Sequence, residues 1–280
     1  METIIKQGLI NESRDSPRIT GVITGFTEFD RITGGLKPGD LILLGSRPAM
    51  GKTSFMLNIA WHTCVEKDIP TAIFSLEMEK KQLNLRLLRA ENANDEHQED
   101  AQRTLDNAPL FVYDSPGTTI TEVKEICRRL KSEQNLGLVF IDYLQLMPGR
   151  DFTYVDRRAI EVAHIMQMLA ECAKEINVPI VVATQLNRKV EARKNRRPKL
   201  CDIRHLSDGI NIDDAYEADA DVVAFLYRDK YYNPETQKKN HAEVIIAKNR
   251  HGATGTIALA FHGDIGKFAN ILENNLEELY

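Results

Sequence analysis

Cysteine is sparse and scattered in this chain of 280 residues: Cys64, Cys127, Cys172 and Cys201 form no C-x-x-C doublet. That spacing excludes a zinc ribbon and gives no support to a disulfide framework. The N-terminus lacks an apolar secretory core, so reduced thiols in a cytoplasm are expected. No apolar run approaches the roughly 20 residues that a membrane-spanning helix needs, so no membrane association is expected. A basic surplus is missing too. The formal charge of -5 excludes a generally basic nucleic-acid coat, and any such binding must come from a local cluster. Internal repeats and low-complexity tracts are also absent. What remains is 42% hydrophobic and 28% charged, the balance of a globular chain able to bury a substantial core.

The stretch that organises the chain is Leu41-Ile-Leu-Leu-Gly45-Ser46-Arg47-Pro48-Ala49-Met50-Gly51-Lys52-Thr53. An apolar strand-like run enters G-x-x-x-x-G-K-T, and residues 54–61 continue with helical periodicity, the context a phosphate-binding loop requires. Gly45 and Gly51 are expected to bring consecutive N–H groups close to an anion at a helix N-terminus. Lys52 would reach the β- and γ-phosphates, and the Thr53 hydroxyl would hold Mg²⁺. By average composition such a pattern arises by accident in about one chain of this length in a hundred, so a mere helix-capping turn is the weaker reading.

Around this loop, apolar runs at 71–75, 110–113, 138–142 and 179–184 read as strands, with helical stretches near 119–133 and 158–175. The pattern predicts an α/β fold, a mostly parallel sheet with helices on both faces. Runs at 222–227, 242–247 and 256–261 follow with short connections and predict additional strands at one side, joined as hairpins. Residues 1–17 read as an N-terminal arm whose Ile4, Ile5, Leu9 and Ile10 have no partner of their own. Residues 18–280 read as a single domain.

Leu138-Val-Phe-Ile-Asp142 would deliver Asp142 to the carboxyl end of a buried strand, where ligands of open α/β sheets bind and where it can hold Mg²⁺ through water. Glu77, beyond another apolar run, is placed to deprotonate a water attacking the γ-phosphate. Gln185, after 179–184, could sense that phosphate. Between Arg188 and Arg204 lie eight cations against Glu191 and Asp202, among them Arg193, Arg196, Arg197, Lys199 and Arg204. Such a loop can track a phosphate backbone, and its lack of aromatics favours backbone contact over base reading. Lys248-Asn-Arg250-His-Gly252 is a strand-end turn offering two cations, Lys248 and Arg250, as fingers for a neighbour's phosphate site.

Together these residues resemble the C-terminal motor domain of DnaB-type replicative helicases, within the RecA-like P-loop ATPases. The likeness runs from about 18 to 270 and is carried by Gly21-Val-Ile-Thr-Gly25, Ser46–Thr53, Phe74-Ser-Leu-Glu-Met78, Phe140-Ile-Asp-Tyr-Leu-Gln-Leu146, Gln185-Leu-Asn-Arg188, Asp202-Ile-Arg204, Glu217-Ala-Asp-Ala-Asp221, Tyr227-Arg-Asp229 and Lys248-Asn-Arg-His-Gly252. The resemblance implies a RecA-like core and a homo-hexameric ring. It also implies ATP- and Mg²⁺-dependent 5′–3′ travel on single-stranded DNA at a replication fork, with a helicase loader as a further partner. It assigns Lys52 and Thr53 to phosphate and Mg²⁺, Glu77 to water activation, Asp142 to Mg²⁺, Gln185 to sensing, and Lys248 with Arg250 to the fingers in trans. Arg204 and its neighbours fall in the family's DNA-contacting loops.

Against the resemblance, the family's N-terminal primase-binding domain is expected to be missing, with residues 1–17 resembling only its linker. Primase contact is therefore not expected, and the ring is expected to be weaker unless the chain is an excised domain or a compact viral version acting in a host cytoplasm. The segment 202–214 is longer than the family's, so its DNA contacts transfer only as far as Arg204. Two other readings stay open: a RadA- or recombinase-like DNA-dependent ATPase, and a non-motor platform whose assembly nucleotide gates.

Overall fold

The structure is a computed structural model and describes residues 19–91, 98–148, 158–204 and 219–271. The N-terminal arm and the segment 205–216 lie outside the described residues.

Two sets of strands, one parallel and one hairpin-linked, merge into a single sheet of nine. The parallel part is β1 (Leu41–Ser46), β2 (Thr71–Ser75), β3 (Leu110–Tyr113), β4 (Leu138–Asp142), β5 (Ile180–Gln185) and β6 (Val222–Tyr227). The hairpin part is β7 (His241–Asn249), β8 (Gly255–His262) and β9 (Lys267–Asn270). The order is β3-β2-β4-β5-β1-β6-β7-β8-β9, parallel as far as β6 and antiparallel beyond it. Strand β1 is central, flanked by β5 and β6, and all six of its residues are buried. A strand covered on both faces must be apolar throughout, which is why this one reads as a continuous run.

Successive side chains of β1 serve opposite cores. Leu41 and Leu43 pack with α5 (Ile120–Gln134) and α6 (Arg158–Ile176). Ile42 and Leu44 pack with α1 (Thr27–Thr33), α2 (Lys52–Trp61), α3 (Lys80–Glu91) and α4 (Gln98–Asn107). Helix α5 starts where the sequence marks it: Thr119 caps the Glu122 N–H while the Glu122 carboxylate accepts the Thr119 N–H, a reciprocal capping box. The expected strands and the helices near 119–133 and 158–175 are all present. Periodicity alone does not mark α3, α4 and β9, the last of which carries a single large apolar residue, Phe268.

Parallel packing brings the carboxyl ends of β1, β2, β4 and β5 to one edge. Ser46 pairs with Gln185, and Ser75 with Asp142, so each candidate residue leaves its strand at the same level.

Candidate nucleotide site

The chain leaves β1 at Ser46 and turns into α2 through a loop in which Ala49 has φ 61° and Gly51 φ 96°. A side chain at Gly51 would be strained by that angle and would also place a Cβ 3.0 Å from the Phe268 ring. Gly45 carries a packing constraint as well. It lies in extended β1, and a Cβ there would meet the Phe225 ring at 2.9 Å and Leu186 at 3.1 Å. Its smallness serves the packing beneath the loop. Gly45→Ala is therefore expected to destabilise the fold by about 1–3 kcal/mol in urea unfolding, an overpacking cost.

The loop borders a cleft of about 560 Å³ lined by Ser46–Thr53 together with Glu77, Asp142 and Gln185. Lys52 Nζ donates to the Thr184 carbonyl at 3.1 Å and lies 5.4 Å from the Tyr143 ring centroid. Burial pulls the Lys52 pKa down, opposed by the carboxylates of Asp142 and Glu77. Three candidate residues thus share one electrostatic environment, and a bound polyphosphate would add to the carboxylates' effect on the ammonium.

Thr53 Oγ1 donates to Asp142 Oδ2 at 2.6 Å. The other carboxylate oxygen, Oδ1, is buried and accepts no hydrogen bond from the described residues. A buried acceptor without a donor is costly, and a hydrated Mg²⁺ would satisfy it. The hydroxyl and carboxylate oxygens are the hard ligands such a cation takes, so the residues present fit the ion. Gln185 enters the cleft with its backbone N–H donated to Gln145 Oε1 at 3.3 Å, and Gln145 Nε2 donates to Thr184 Oγ1 at 2.7 Å. Gln145 therefore braces the end of β5.

The Arg47 side chain reaches Glu191 at 2.9 Å and the Leu186 carbonyl at 2.7 Å. Several cleft residues have no role assigned from the sequence: Tyr143, Arg86 and Arg89 of α3, Arg228, and the β8–β9 turn at 263–266. Arg228 donates to the Ala49 carbonyl at 3.2 Å, with its guanidinium 4.2 Å over the Phe261 ring. Only the hairpin pairing brings that turn over the loop, so composition alone carries no signal for it.

The basic run adopts a form other than an open cationic loop. Arg193 pairs at 2.7 Å with Asp202 of the short helix α7 (Cys201–Arg204), the helix that Arg204 ends. Arg196 donates to the Glu191 carbonyl and lies 4.9 Å over the Tyr232 ring. Arg197 forks onto Glu243 with two contacts of 2.6 Å and covers the Tyr227 ring at 4.8 Å. The aromatics missing from the run itself come from β6 and from α8 (Asp229–Tyr232). These three arginines are engaged by the fold itself, whereas Lys194 and Lys199 are exposed.

Lys248 and Arg250 lie at the other end of β1 from the cleft. Arg250 is held by Asp221, which also binds the N–H of Leu41, the first residue of β1. About 17 Å of strand therefore separates Arg250 from the loop of its own chain. An arginine side chain cannot bridge that distance.

Residues 21–270 match the family model described as the DnaB-like helicase C terminal domain. The replicative DNA helicase DnaC of Bacillus subtilis (strain 168) is 44% identical over 267 residues, covering 90% of this chain and 57% of that protein. Replicative DNA helicase DnaB of Geobacillus stearothermophilus is 43% identical over 274 residues, with coverages of 93% and 58%. The chain thus spans under two thirds of the length of these relatives. Among solved structures, a DnaB-like replicative helicase studied with its primase interactions superposes with a TM-score of 0.82 at 34% identity, covering 91% of this chain and 63% of that one. A second solved chain, itself an ATPase domain, superposes with a TM-score of 0.80 at 34% identity, covering 93% and 94%. The mostly parallel sheet with its flanking helices is the architecture of these ATPase domains.

Proposed function

Since this chain belongs to the DnaB-like helicase C-terminal domain family, we propose that it is the ATP-driven motor of a replicative DNA helicase. The observation that carries this reading is the Thr53–Asp142 pair with its unsatisfied oxygen, set beside Lys52 and Glu77 at the carboxyl edge of the sheet. Lys52 binds the β- and γ-phosphates, and Thr53 and Asp142 are the residues that would hold Mg²⁺. When bound, Mg²⁺ neutralises phosphate charge and orients the γ-phosphoryl group. Glu77 takes the proton of the attacking water, and Gln185 reports whether the γ-phosphate is present.

Transition-state charge needs more neutralisation than Lys52 and the cation provide. Lys248 and Arg250 supply it from the next subunit of a homo-hexameric ring. The separation between Arg250 and its own phosphate loop supports this sharing, because a finger at the far end of β1 can serve only a neighbour. Residues 18–280 form the motor and residues 1–17 an arm that docks on the adjacent copy. The ring works in the cytoplasm, travelling 5′–3′ along single-stranded DNA and displacing the complementary strand. No helix among the described residues is long and apolar enough to cross a membrane.

The test is strand displacement on a forked duplex with ATP and Mg²⁺. Unwinding that depends on a 5′ single-stranded tail is the expected result. Strand exchange without unwinding would favour the recombinase reading, and neither activity would favour the assembly platform.

The DNA contacts proposed for the basic run divide into two groups. Replacing Lys194 and Lys199 by Ala should weaken single-strand binding and flatten its salt dependence by roughly 1.4 units, about 0.7 for each phosphate no longer neutralised. Arg197→Ala leaves the Glu243 carboxylate without its fork and should cost stability, about 1 kcal/mol for a partly exposed pair. Salt titrations of oligonucleotide binding beside urea unfolding separate the two effects. An unchanged salt slope in the double lysine variant would remove this run from the DNA path.

A further inference from the structure

The turn that carries Lys248 and Arg250 is tied down at several points. The Arg250 guanidinium meets Asp221 Oδ1 at 2.6 Å, and its backbone N–H donates to the Asp221 carbonyl at 2.9 Å. The second carboxylate oxygen of Asp221 accepts the Leu41 N–H at 3.0 Å, and the Asp221 N–H donates to the Leu41 carbonyl at 2.8 Å. One residue further on, His251 pairs with Asp40 at 2.8 Å. Lys248 Nζ donates to the Ala220 carbonyl at 2.7 Å, and Asn249 Nδ2 closes the turn onto the carbonyls of Ile32 and Ala253 at 3.2 and 3.0 Å. Burial raises the pKa of the Asp219 carboxyl nearby, and the charges of Lys174, Lys248 and Arg250 oppose that rise.

The ligand atoms of Asp40, Asp221 and His251 all lie within 4.8 Å of one another, a spacing that could hold a metal ion. Here the positive charge at that place is supplied by the protein itself. The Arg250 guanidinium takes one oxygen of Asp221, the Leu41 amide takes the other, and His251 faces Asp40. The cluster thus serves as an anchor for the finger.

The Asp221 side chain is nearly buried, at 5% exposure, while that of Arg250 is 48% exposed. A guanidinium carries five N–H donors in a fixed fork, so one edge can rest on Asp221 while another faces a phosphate. Holding a long, rotamer-rich side chain in one orientation before it meets its target removes an entropic cost of the meeting. An oriented cation also stabilises transition-state charge without reorganising at the moment of reaction.

The geometry points to Asp221 as a positioning residue that acts on the active site of the neighbouring subunit. It seats Arg250 on the end of β1, with Asp40 and His251 as a second anchor. This inference rests on the shared-site reading proposed above. The ring's fingers are then set by a carboxylate that touches neither nucleotide nor Mg²⁺.

Asp221→Asn keeps an acceptor for the Leu41 N–H and removes the charge that holds Arg250. In assembled rings of the full chain it should lower kcat ten- to hundredfold, roughly the scale of a misplaced catalytic group, with KM for ATP unchanged. A merely structural defect would stay with the variant subunit. The positioning role predicts rescue in trans: mixing Asp221→Asn subunits with Lys52→Ala subunits, whose fingers and Asp221 are intact, should restore turnover at the Asp221→Asn sites. A parallel mixture of Arg250→Ala with Lys52→Ala subunits serves as control. Recovery in the control but not with Asp221→Asn, in rings shown to be mixed by native mass spectrometry, overturns the inference. So does wild-type turnover of Asp221→Asn alone. If the control itself fails to recover, the shared site falls and this inference with it. Should Asp221→Asn not fold, Asp40→Asn removes the second anchor and is read in the same way, with a smaller loss in kcat.

Discussion

Rings made only of Lys52→Ala subunits, or only of Arg250→Ala subunits, should be nearly inactive, and mixing the two should return part of the ATPase activity. Lys52→Ala removes the ammonium that the cleft holds beside Asp142 and Glu77, so that subunit no longer binds phosphate productively. Its finger is untouched, because the turn at 248–251 is anchored at the opposite end of β1. Arg250→Ala leaves the cleft complete and removes the cation that the proposed shared site takes from the neighbour, an expected loss on the order of a thousandfold or more in kcat. In a head-to-tail ring every interface pairs one cleft with the next subunit's finger, so random mixing of equal amounts makes about a quarter of the interfaces complete. Steady-state ATPase of the mixture, compared with each variant alone, reads the recovery. Mixed rings that form and show none would mean that Arg250 serves DNA or the fold.

Much of this arrangement is legible in the sequence because its parts are local. The phosphate loop needs only an apolar strand, a fixed spacing of Gly, Lys and Thr, and a helix start. Asp142 needs only the four apolar residues that deliver it to a strand end. The hairpin strands are visible because alternation survives in β7 and β8. Parts that rest on pairs distant in the chain are not visible. Arg47 turns to Glu191, Arg197 to Glu243, and Lys267 to Glu91. Nothing within a window of a dozen residues shows that these charges cancel. A run with eight cations therefore reads as a free basic surface, although tertiary pairing commits several of them.

Gly45 and α3 show two further limits. Gly45 looks like a loop residue because the motif places it there, yet its constraint comes from Phe225 on the adjacent strand. Helix α3 buries Leu83, Leu87 and Leu88, a helical spacing, but its polar face of Lys80, Lys81 and Asn84 hides that period among charges. Its Arg86 and Arg89 reach the cleft only because the helix follows Glu77 across the sheet edge. Strand-end chemistry is local, whereas the residues that surround it arrive by topology.

Glu77→Gln should keep ATP bound and lose most turnover. Glu77 leaves β2 two residues after Ser75, which pairs with Asp142 of β4, so the loop bearing the carboxylate emerges beside the proposed cation site. Burial lowers the Lys52 pKa, the Asp142 and Glu77 carboxylates oppose that lowering, and Glu77 lines the same cleft. The amide has the same shape and can still orient a water, but it cannot take the proton. Removing a general base of this kind costs about 10²–10⁴-fold in rate. In the proposed site, binding rests on Lys52, Thr53, Asp142 and the loop amides, all of which the substitution keeps, so the affinity for ATP should change little. Equilibrium titration with a fluorescent ATP analogue and single-turnover hydrolysis measure the two quantities separately. A structural role would instead weaken both, because a cleft that loses its shape loses its ligand. The trans arrangement adds a second readout. A Glu77→Gln subunit still carries its finger, so mixing it with Arg250→Ala subunits should restore turnover as Lys52→Ala does. Near-normal hydrolysis by Glu77→Gln would move the proton acceptor to another group in the cleft and leave Glu77 as a partner of Lys52 alone.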